Sequence, residues 1–155
     1  MPAIRPATVA DAPALGALVA RLLAELHGEV VDPAAIDGAT FAAHRLLAGH
    51  PGFAAFLALD SAQRPVAMLT LSECCSLYAG GLFGEIAEFY VDPAWRSQGL
   101  GQRLVEAAIE EAKARRWPRL EVGAPDLPRW QRTVDFYKRC GFTEIGPRLR
   151  RLTAF

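Results

Sequence analysis

Apolar positions along the chain change their period several times, and each change predicts an element. Ile4 to Pro6 can form a short first strand. After Asp11, Leu15, Leu18, Val19, Leu22, Leu23 and Leu26 recur at helical offsets, the pattern of an amphipathic helix packed on another layer. Pro33 suits a first helical turn, and Phe41, Leu46 and Leu47 give a second helix, Pro33 to Ala48, an inward face. Phe53 to Leu59 and Val66 to Leu77 then read as strands joined by a turn over Asp60 to Pro65. Tyr78 to Gly84 is expected as a glycine-rich loop leading into a strand from Glu85 to Val91. The clearest helix follows: Leu100, Leu104, Ala108 and Ala112 stand at fourfold spacing beside Val105 and Ile109, and Glu111 can pair with Arg115 on the wet side. Pro118 ends it, and Leu120 to Ala124 makes a fifth strand. A last helix ends near Cys140, with Gly141 as its left-handed end residue and Phe142 folding back. Thr143 to Ile145 and Arg150 to Phe155 are expected as final strands.

Strands and helices in this order, without strict alternation, predict α/β (α+β) layering around a mostly antiparallel sheet. The 155 residues match one domain, 1–155, with a single core. Hydrophobic residues make up 52% and charged residues 22%, the balance of a folded globular protein rather than of a disordered chain. Seventeen basic residues cancel seventeen acidic ones, so no global field draws the molecule to nucleic acid or to an anionic membrane. Any anionic ligand has to be held locally. The three cysteines, Cys74, Cys75 and Cys140, form neither a disulfide framework nor a spaced metal site, and no metal is expected. With no signal-type leader and no long apolar run, the expected location is the cytoplasm.

The segment between the strand ending at Val91 and the strong helix carries the candidate chemistry. Arg96-Ser97-Gln98-Gly99-Leu100-Gly101 places glycines where a helix begins, so unpaired N–H groups and the positive helix end can seat a diphosphate. Arg96 adds a donor suited to a phosphate oxygen. Gln102-Arg103 after Gly101 is not the Gly-Lys-Ser/Thr of a Walker loop, and Leu104 stands where a dinucleotide fingerprint needs a small residue. An ordinary strand-to-helix turn is the plain alternative for a bare Gly-x-Gly.

The stretch Phe89-Tyr90-Val91-Asp92-Pro93-Ala94-Trp95-Arg96-Ser97-Gln98-Gly99-Leu100-Gly101 resembles the acetyl-CoA signature of the GNAT superfamily of N-acetyltransferases, Gln/Arg-x-x-Gly-x-Gly/Ala. Phe136-Tyr137-Lys138-Arg139-Cys140-Gly141-Phe142 resembles its second hallmark, Phe-Tyr-x-x-x-Gly-Phe, and Ile4-Arg5-Pro6-Ala7-Thr8 with Asp11 and Ala12 is similar to its usual start. One departure is Trp130, at the place of an asparagine that contacts the cofactor in many members. The resemblance implies the GNAT fold, a central mixed, mostly antiparallel sheet of about six to seven strands flanked by about four helices. It also implies acetyl-CoA as co-substrate, held by Phe89, Tyr90, Val91, Arg96, Ser97, Gln98, Gly99, Leu100, Gly101 and Tyr137. Relatives are frequently homodimers.

The implied reaction is direct attack of a primary amine on the thioester within a ternary complex. An ammonium with a pKa of about 10.4 must lose its proton, and the thioester carbonyl must be polarised. The resemblance places the polarising N–H near Val91 and gives Tyr137 the role of acid to the departing thiolate. Strand alternation sets Ala87, Phe89 and Val91 on one apolar face and Ile86, Glu88 and Tyr90 on the other, which makes Glu88 the first candidate base. Glu85 is the second, because relatives use an earlier glutamate of this strand and a bulge would reverse the parity. Glu25, Glu29 and Asp32 could attract a cationic amine, although a solvated loop is the plainer reading. The acceptor is expected to be a small-molecule amine. A peptide or protein amine is the main enzyme alternative, and a non-catalytic acyl-CoA-binding module is the alternative of another class.

Overall fold

A computed structural model describes residues 1–146 and 148–153. Its single sheet runs in the order β1-β2-β3-β4-β5, with β1 at Ala3–Pro6, β2 at Phe53–Leu59, β3 at Pro65–Ser76, β4 at Gly81–Val91 and β5 at Leu120–Val122. Every neighbouring pair is antiparallel except β4 and β5, which are parallel and joined by a helical crossover. The helices are α1 at Ala12–His27, α2 at Pro33–Gly49, α3 at Leu100–Ala114 and α4 at Gln131–Arg139.

The helices cover the two faces of the sheet. On one, Leu15 and Leu18 of α1 and Ala43 of α2 pack with Leu57, Met68 and Tyr90. On the other, Leu100, Leu104, Val105 and Ala108 of α3 pack with Phe56, Ala67, Leu69, Leu71 and Ile86, and Phe136 of α4 joins at the rim. The helical period of the sequence is the period of this burial in α3, whereas Phe41 of α2, expected to face inward, is 65% exposed and Ala43 takes the buried place; each fully buried leucine contributes about 1.5–3 kcal/mol. The Glu111–Arg115 pair forms as expected, at 2.6 Å.

The sheet has five strands among the described residues, fewer than the expected six to seven. Thr143 to Ile145 and residues 150–153 are not strands, and residues 154 and 155 lie outside the described part. Leu149 and Leu152 are 96% and 79% exposed, so the Arg-Leu-Arg-Arg-Leu pattern has no packed face to hold it in a pleat. β4 in turn begins at Gly81, inside the expected glycine loop. Gly84 pairs with Glu73 on one side and Leu120 on the other, and a Cβ there would come within 2.3 Å of Trp117, so glycine lets the tryptophan lie across the strand.

The alternation expected for β4 is broken. Leu69 faces Phe89 and Leu71 faces Ile86, so Thr70 stands opposite both Ala87 and Glu88, a β-bulge. Ile86 therefore shares a core with Phe89 and Val91 instead of pointing with Tyr90.

Candidate active site

Pairing between β4 and β5 stops at Ile86 opposite Val122. Beyond it the bulge bends β4 away, and the two strands diverge into a cleft of about 980 Å³. Ile86, Ala87, Phe89, Tyr90 and Val91 form one wall; Val122 to Asp126 and the α4 residues Thr133, Phe136 and Tyr137 form the other. The Asp92 N–H donates to the Val66 carbonyl at 2.8 Å. By the two-residue alternation of an antiparallel ladder, the amides of Phe89 and Val91 then turn away from β3, toward the open edge. Val91 thus offers an N–H at the fork.

The glycine loop closes one end of the cleft. Gly99 stands ahead of α3 with φ 84, a left-handed conformation that a side chain would strain, and no side chain caps this helix. Arg103 N–H returns to the Gly99 carbonyl at 3.1 Å, so the amides between them are those a helix start leaves without an internal acceptor. Gly101 has a different reason: a Cβ there would lie 3.2 Å from Phe136 and 3.4 Å from Phe89. Ser97 also lines the cleft, whereas the Leu100 side chain is fully buried and Gln98 donates to the Ala94 carbonyl at 2.9 Å. Leu100 can offer only its main chain.

Arg96 is not placed as a dedicated phosphate ligand. Its terminal nitrogens hold Glu25 of α1 at 2.7 and 2.6 Å, and its Nε donates to the Val91 carbonyl at 2.7 Å. The Glu25 carboxylate pushes its already high pKa further up. Other cations border the cleft around α4: Arg129, Arg132 and Arg139 line it, and Arg132 donates to the Ser97 hydroxyl at the glycine loop. The sequence reading missed them, although the spacing of Arg129 and Arg132 puts both on one side of a helix start. Trp130, at the departure from the family pattern, lines the cleft too, with the Arg129 guanidinium 4.9 Å from its ring centroid.

Tyr137 lies in a cluster of rings, with centroids 5.6 Å from Phe136, 5.6 Å from Phe142 and 6.2 Å from Phe89. Burial pushes its pKa up, so the hydroxyl keeps its proton through the neutral range. The bulge brings Glu85 and Glu88 to the same side of β4, the side of α1 and α2. Glu88 accepts from the Thr70 hydroxyl and its N–H donates to that oxygen at 3.0 Å, while Glu85 receives Arg148 at 2.9 Å. Glu85 lines the cleft; Glu88 is not among its lining residues. Buried Glu121 stands in register with Glu85 across the parallel pair and accepts from the Tyr78 hydroxyl at 3.4 Å.

The arrangement fits acetyl-CoA: an apolar slot between Phe89, Val91, Val122 and Phe136 for a slender arm, ending at a helix start and three arginines for phosphates. Known proteins resemble this chain in sequence and in fold. The acetyltransferase (GNAT) domain model matches residues 51–144, which span the fork, the glycine loop and Tyr137. An uncharacterised N-acetyltransferase of Methanocaldococcus jannaschii is 44% identical over 62 residues, 39% of this chain and 26% of that protein, so the match spans about a quarter of the relative's length. In fold, a predicted acetyltransferase from Clostridium acetobutylicum solved with acetyl-CoA has a TM-score of 0.79 at 20% identity, over 98% of this chain and 96% of the other. An aminoglycoside acetyltransferase from an uncultured soil metagenomic sample has a TM-score of 0.74 at 20% identity, over 99% and 96%. With the domain match covering most of the chain and the forked sheet meeting a glycine-started helix beneath it, the chain belongs to the acetyltransferase (GNAT) family.

Proposed function

We propose that the protein is an acetyl-CoA-dependent N-acetyltransferase that acetylates a primary amine of a small molecule by direct attack in a ternary complex. The observation that carries this reading is the fork between β4 and β5, where an open strand edge, an uncapped helix start and Tyr137 border one cleft. Bound acetyl-CoA supplies an activated acetyl group.

The chain's own groups divide the remaining work. The amides ahead of α3, with Arg132, hold the diphosphate. The outward Val91 N–H polarises the thioester carbonyl, a type of contact that contributes roughly 2.7–4 kcal/mol to the barrier. Glu85, which lines the cleft, takes the ammonium proton directly, while Glu88, engaged with Thr70, is placed to act only through another group. As the carbon–nitrogen bond forms and the carbon–sulfur bond breaks, the protonated Tyr137 hydroxyl delivers a proton to the departing thiolate, and the second proton shed by the acylated nitrogen restores the tyrosine. The acidic Glu85, Glu88 and Glu121 on the α1/α2 side suit a cationic amine, and the aminoglycoside acetyltransferase with the same fold is named for a small-molecule amine acceptor.

Calorimetry with CoA and acetyl-CoA, followed by thiol release with a panel of amines, tests the proposal. Binding with amine-dependent release is expected. No heat from either ligand would remove the reading; heat without amine-dependent release would leave a binding module, and release with peptides alone would move the acceptor to that class.

A further inference from the structure

Helix α1 is tied to the end of β4 by two ion pairs one helical turn apart. Arg21 Nη1 lies 3.2 Å from Asp92 Oδ2, and the Arg96 guanidinium grips both Glu25 oxygens at 2.7 and 2.6 Å, across 71 residues of sequence. The same guanidinium donates to the Val91 carbonyl through Nε at 2.7 Å and lies 5.7 Å from the Tyr90 ring centroid. A planar fork held along two of its edges has one orientation, so Glu25 sets where Arg96 stands and Arg96 sets where β4 ends. The arrangement also neutralises a cation beside the seat of a polyanion, which is the wrong design for raising affinity. Its effect has to be sought in geometry.

We infer that Glu25 is a positioning residue for acyl transfer, acting through Arg96 on Val91 to align the outward amide at the fork. The inference rests on the acetyltransferase reading. Leu22, Leu26 and His27, the neighbours of Glu25 on the last turns of α1, line the same cleft, so the strut fixes the α1 wall and the glycine loop relative to each other.

Glu25→Gln keeps the side-chain volume but removes the charge and one of the two acceptor oxygens. The freed guanidinium can then turn toward the diphosphate. The expected result is a kcat about tenfold lower, a modest misplacement effect, with the Kd for CoA unchanged or tighter. Loss of stability alone would lower Tm and weaken binding and turnover together. Arg96→Lys, which cannot reach Glu25 and Val91 with the same fork, gives the same loss of kcat and serves if the first variant fails to fold. The double variant is no slower than the slower single one, because both changes break one chain of contacts.

Full kcat in Glu25→Gln, single losses that multiply in the double variant, or kcat and CoA affinity falling in parallel with Tm would each overturn the positioning role. These results are distinct from failure of the underlying reading, in which wild-type protein would bind no CoA.

Discussion

β2 and β3 have a neighbour along both edges and helices over both faces, whereas β4 has two neighbours only as far as Ile86 and an open edge from there to Val91. The first region places side chains such as Leu57, Met68 and Leu69 wholly out of water; the second holds polar groups at a cleft. The two regions meet at a single extra residue: the bulge opposite Thr70 follows the last pair with β5 and puts Glu85 on the same side of β4 as Glu88, toward α1 and α2. Stability and chemistry are thereby separated along one sheet, and substitutions should separate in the same way.

The largest expected effect lies in the closed region. Leu57→Ala, in a fully buried site on β2, should lower unfolding free energy by about 2–5 kcal/mol in a urea titration while the folded fraction keeps its CoA affinity. A parallel loss of CoA affinity would mean that the two regions are not separable. In the open region, Tyr137→Phe should reduce turnover at least about tenfold with acetyl-CoA binding intact, the pattern of a lost general acid. Equal turnover would return Tyr137 to a packing role within its ring cluster.

A finer division concerns the two carboxylates that the bulge brings together. Glu85→Gln should abolish the acidic limb of the kcat/KM profile and Glu88→Gln should retain it, because only Glu85 lines the cleft. The reverse outcome would assign the proton to Glu88 acting through Thr70 or water.

The smallest effect belongs to neither region but to the exposed pair at the end of edge strand β1, where hydrogen bonding from Arg5 lowers the Asp11 pKa to about 2. A lowered folded-state value stabilises the protein above the unfolded value near 3.8 and is lost as pH falls toward about 2. Arg5→Ala should therefore cost about 0.2–1 kcal/mol at neutral pH and flatten the acid limb of stability between those values, with turnover unaffected. An unchanged urea midpoint across that window would show that the exposed pair carries no stability.

Most elements could be read from local signals. β2 runs from Phe53 to Leu59 as its apolar run predicts, α3 starts at Leu100 directly after Gly99, and Gly141 has φ 93 behind α4. The glycine loop and Tyr137 were legible for the same reason, since each is a short contiguous pattern. The final strands were not: Thr143 to Ile145 and Arg150 to Phe155 are expected as strands, but a strand exists only where a partner edge accepts it, and among the described residues 143–145 and 150–153 find no such edge.

What the sequence determined alone, then, is whatever depends on neighbours along the chain: helix periods, turn residues, the helix start that suits a diphosphate and the acetyltransferase resemblance. Only the tertiary structure decided the bulge at Ala87 and Glu88, the engagement of Arg96 by Glu25 and the turn of Arg132 toward Ser97. Those depend on register between strands and on ion pairs spanning tens of residues, and such contacts leave no periodic trace because chain folding, not spacing, brings the partners together.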